Sequence, residues 1–163
     1  MLKKFSIGTW ITACAFVLTF LSFIFYFIGV NIEGYFQGET VTGTLLLTIF
    51  SLLGSCGVVV YTLFYKSEGM VGKILDIVVN VLKAGIAIML VFAGMILLNA
   101  RVEGLAYIYA SNEEILETIQ TPANMASASM AIVTVVFLVL AGVAMIVSSF
   151  FSLRKTETVA VAE

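Results

Sequence analysis

The stretch ILDIVVNVLKAGIAIMLVFAGMILL, Ile74–Leu98, decides how this chain folds. A bilayer core about 30 Å thick needs roughly 20 helical residues to cross it, and this run exceeds that length while holding only Asp76, Asn80 and Lys83 as polar interruptions. Three further stretches, Phe5–Val30, Val41–Tyr65 and Ala123–Leu153, are as long and as apolar. Strands of a membrane barrel alternate apolar and polar over about 10 residues, which none of these runs does. Four spanning helices are therefore expected.

Composition agrees. Hydrophobic residues make up 61% of the chain, charged residues 11%, and the mean hydropathy is +1.14. A water-soluble domain carries about 25% charged residues, so this chain lacks the polar surface to face water on all sides. The length fits one transmembrane domain over residues 1–163.

The few charges are sorted. Lys3, Lys4, Lys66, Lys73, Arg154 and Lys155 fall at alternate ends of the four stretches, and Lys83 lies a little inside the third. The other connections hold only Arg101, against Glu33, Glu39, Glu103, Glu113, Glu114 and Glu117. Lys and Arg are retained on the cytoplasmic side, so an up-and-down antiparallel bundle with both termini in the cytoplasm is expected. The first apolar run is too long for the h-region of a cleaved signal peptide. A plasma membrane location, in a bacterium, is the expectation.

Small and hydroxyl residues recur at alternating steps of three and four. The first span has Gly8, Thr12, Ala15, Thr19, Ser22, Tyr26 and Gly29. The second has Thr44, Thr48, Ser51, Ser55, Val58 and Thr62, and the fourth has Ser127, Ala131, Thr134, Leu138, Ala141, Met145 and Ser148. This is the period of a left-handed helical seam, and small residues let helices approach closely. Phe16, Phe20, Phe23 and Phe27 share another face, suited to lipid or outer grooves.

Tyr35, Phe36, Tyr107 and Tyr109 are expected at the outer membrane interface, with Trp10, Tyr61, Tyr65, Phe150 and Phe151 towards the inner one. The first outer connection, Asn31–Thr40, has Gly34 and Gly38 to permit a tight reversal. The second, 99–122, reads as a loop with one short helix, started by a Ser111–Glu114 capping box. Thr121-Pro122 suits the start of the fourth span. Cys14 and Cys56 read as two free, buried thiols.

The third span carries the candidate chemistry. Lys73, Asp76, Asn80 and Lys83 share one helical face, continued by Ala87, Leu90 and Gly94. A charged Lys at the centre of a spanning helix costs roughly 2.5–3.5 kcal/mol, so Lys83 either faces the bundle interior at mid-depth or, removing most of that cost, runs its stem back to the headgroups. Asp76, Asn80 and Lys83 form a candidate polar vestibule for a small solute, a proton or a lipid headgroup. Outside, Tyr107, Tyr109, Glu113 and Glu114 form a candidate recognition patch.

The sequence contains no histidine, which removes Ser-His-Asp and Cys-His catalysis and His-based metal sites. It lacks a C-x-x-C pair, a P-loop and a G-x-G-x-x-G fingerprint. No catalytic residue, cofactor-binding residue or metal ligand is nominated, and nothing suggests nucleic-acid binding. The clustered Glu113, Glu114 and Glu117 read as a solvated helix face rather than a cation site.

The overall layout, with Ala106-Tyr107-Ile108-Tyr109-Ala110-Ser111 leading to Pro122-Ala123-Asn124-Met125, resembles the small uncharacterised four-span integral membrane proteins of Gram-positive bacteria. That resemblance implies the four-span architecture and no particular activity. The expected role is non-enzymatic: an accessory or structural membrane protein that packs with partner helices or with itself. A small transporter or channel using the third-span polar face is the alternative.

Overall fold

A computed structural model of the chain describes residues 6–64 and 70–151. Five helices follow in order: α1 (Ile7–Asn31), α2 (Thr42–Phe64), α3 (Met70–Ala110), α4 (Glu113–Ile119) and α5 (Pro122–Ser149). No strand occurs among the described residues. Four of the helices, all but α4, are long and apolar enough to cross a membrane. Lys3, Lys4, Lys66, Tyr65, Arg154, Lys155 and the C-terminal tail lie outside the described residues.

The four long helices close into a ring, each packed against two others: α1 and α3 both lie against α2 and α5. Two hydrogen bonds fix how α2 meets α3. Thr44 near the start of α2 donates to the Ala93 carbonyl at 3.1 Å, and Tyr61 near its end donates to Asp76 at 3.1 Å. The seams face inward. Gly8, Thr12, Ala15, Thr19, Ser22 and Tyr26 of α1 are buried, as are Thr44, Thr48, Ser51, Ser55 and Val58 of α2. On α5 the buried set includes Ser127, Thr134, Leu138, Ala141, Met145 and Ser148. Phe20 and Phe27 point outward, while Phe16 and Phe23 are half-buried.

Most seam hydroxyls donate to a carbonyl of their own helix. Thr12 reaches Gly8, Thr19 reaches Ala15, Thr48 reaches Thr44 and Thr134 reaches Met130, at 2.7–2.8 Å. Burial of a hydroxyl is costly unless it is bonded, and back-bonding within the helix removes that cost without a partner. The seams are thus packing surfaces with their polarity turned inward.

Several expectations need correction. The supposed loop 99–122 is mostly helical, because α3 runs on to Ala110. At about 1.5 Å per residue, its 41 residues span roughly 60 Å, about twice the hydrocarbon thickness. The cause is the seam itself: buried Ala87, Leu90, Gly94 and Leu97 continue as Arg101, Gly104 and Ile108 in the same steps of three and four. Burial of that face sustains the helix after apolar composition ends. Ser111 does not cap α4. Its hydroxyl donates back to the Tyr107 carbonyl at 2.7 Å, and Asn112 is the N-cap residue. Thr121 does cap α5, accepting from the Asn124 N–H at 3.2 Å, with Pro122 in the first turn. Cys14 and Cys56 are free, but exposed on the helix exterior rather than buried.

Phe36 is also corrected, from surface anchor to core. It is 3% exposed and packs with Ile108 and Ala128 in a second small core beside the connection between α1 and α2. That connection is pressed onto α5: the Phe36 N–H donates to the Ser127 hydroxyl at 3.3 Å. Gly34 sits at φ +145°, and a Cβ there would lie 2.6 Å from the Ala123 carbonyl oxygen and 2.7 Å from Ser127 Cβ. Both the backbone angle and the space demand glycine. Gly34→Ala is expected to cost at least about 2 kcal/mol. Thermal unfolding in detergent checks this against Gly38→Ala, where the left-handed φ of +75° remains but the space is open.

Candidate functional site

The third-span face does not assemble one site. Lys73 is exposed, Asp76 and Asn80 are half-buried, and Lys83 is wholly buried. Burial deepens along the face while the side chains diverge. Asp76 accepts from Tyr61 of α2, whereas Lys83 reaches across to α5 and donates to the Ser148 carbonyl at 3.3 Å. Asn80 Oδ1 is buried without a hydrogen-bond partner among the described residues.

Lys83 buries its head against α5. Its acceptor comes from the protein. Ser148 lies one residue before the end of α5, where the carbonyls lack α-helical donors; its carbonyl accepts from the Phe151 N–H at 3.3 Å and has a second lone pair for Lys83. The last carbonyls of a helix also carry the negative end of the helix dipole, which favours a cation. The ammonium of Lys83 thus serves α5 as a C-terminal cap supplied by another helix. This accounts for a buried Lys that has no carboxylate in ion-pair contact among the described residues.

The outer patch is not gathered either. Tyr107 and Tyr109 are exposed, and so are Glu113 and Glu114 on α4, a helix with no buried residue. Tyr107 stands 6.1 Å from Tyr35, between ring centroids, rather than beside the α4 carboxylates.

Sequence reasoning missed the most organised polar cluster. Arg101 is 3% exposed and its guanidinium donates from Nη1 to the Glu39 carboxylate and from Nη2 to the Glu39 backbone carbonyl. The same group lies 4.4 Å from the Phe36 ring centroid. Phe36 in turn rests on Gly104, where a Cβ would come within 2.5 Å of its ring. Nearby, the Tyr26 hydroxyl accepts from the Val41 N–H at 2.7 Å and so ties α1 to the start of α2. The signal was present: Arg101 follows Leu97 by four and precedes Gly104 by three on the α3 seam, which places it inside.

The fold defines the class, an all-helical protein of multi-pass membrane type, with four helices long and apolar enough to cross a membrane and two buried cations engaged inside the structure. No protein-family model, curated protein or solved structure matches the chain.

Proposed function

We propose that this is a non-enzymatic accessory or structural protein of the bacterial cytoplasmic membrane, an up-and-down antiparallel four-helix bundle with both termini in the cytoplasm. The segregation of Lys and Arg supports the orientation. The pairing of Thr44 with Ala93 and of Tyr61 with Asp76 supports opposed neighbours α2 and α3. The role rests on one observation: each buried cation is spent on an internal clamp, Lys83 on α5 and Arg101 on Glu39. The extensive apolar exterior is the surface that packs against lipid, partner helices or a second copy.

Cross-linking in native membranes tests this. A discrete adduct with another membrane protein or with itself is the expected product, and a strictly monomeric chain would count against the role.

The buried, unpartnered Oδ1 of half-buried Asn80, with Asp76 and Lys83 on the same helix, favours a second reading as a small transporter with a cytoplasm-facing vestibule. Purified protein in liposomes separates the two. Absence of ion and solute flux fits the structural role, and flux abolished by joint replacement of Asp76 and Lys83 with apolar residues supports transport.

A further inference from the structure

We draw no further inference here: the strongest candidate, the buried Oδ1 of Asn80 on the α3 face between Asp76 and Lys83, which has no hydrogen-bond partner among the described residues, belongs to the candidate vestibule already described.

Discussion

Lys83→Glu destabilises the protein by about 3 kcal/mol or more, while Lys83→Met costs about 1 kcal/mol or less. The reason is the address of the ammonium. Lys83 is buried and its one hydrogen bond goes to Ser148, in the last turn of α5. A carboxylate at that position would face carbonyl oxygens and the negative end of the α5 dipole with no donor to meet it, and would be buried and unpaired. Methionine fills a similar volume and removes one of two donors to the Ser148 carbonyl, which keeps the Phe151 N–H at 3.3 Å, so the loss is at most that of one hydrogen bond. Unfolding by titration with a denaturing detergent, starting from mixed micelles, measures both variants. Equal stability of the Glu and Met forms would remove the capping role. An interfacial Lys, with its head in water, predicts small effects for both.

The clamp at the opposite end gives the second large effect, and its order is the reverse of what residue size suggests. Glu39→Ala is expected to cost about 3 kcal/mol, and Arg101→Met distinctly less. Removing the carboxylate strands a guanidinium whose side chain is 4% exposed, keeping only the residue 39 carbonyl and the Phe36 ring as compensation. An unpaired buried charge is the costly product when an ion pair is broken. Removing the arginine instead leaves a carboxylate already 61% exposed, which water solvates. Methionine then covers the Phe36 ring with apolar surface. The double variant should lie close to Arg101→Met, giving a coupling near the full cost of Glu39→Ala. A Glu39→Ala protein as stable as the parent would show that the pair carries no weight at the outer end.

The two clamps explain why the polar residues of this chain were only partly legible beforehand. Lys83 was conspicuous in an apolar run, but its partner is a backbone carbonyl, and a carbonyl has no sequence signature. By hydropathy Arg101 is a lone cation in a loop, because apolarity stops near Leu98. The spacing from Gly94 through Leu97, Arg101, Gly104 and Ile108 carried the helix on, and period was the better guide than hydropathy there. Phe36 misled for a related reason. An aromatic beside a span boundary suits the membrane interface, yet Gly34 and Gly104 together open the space that draws this ring inward.

The candidate vestibule fared similarly. Asp76, Asn80 and Lys83 do share a helix face, as their spacing requires. Their side chains differ in length, however, and the neighbours on that face are two helices rather than one. Asp76 meets Tyr61 of α2, and Lys83 passes on to α5.

By itself the amino-acid order determined that four segments would be helical, long enough and apolar enough to cross a membrane, and which stripe of α1, α2 and α5 would face inward. Those properties follow from length, hydropathy and a repeat of three and four, all of which are local. Only the tertiary structure decided which helices are neighbours, where two buried cations find their acceptors, and that the connection between α1 and α2 folds down onto α5. Each of these depends on groups far apart in the chain meeting in space: position 83 with 148, 101 with 39, 36 with 127.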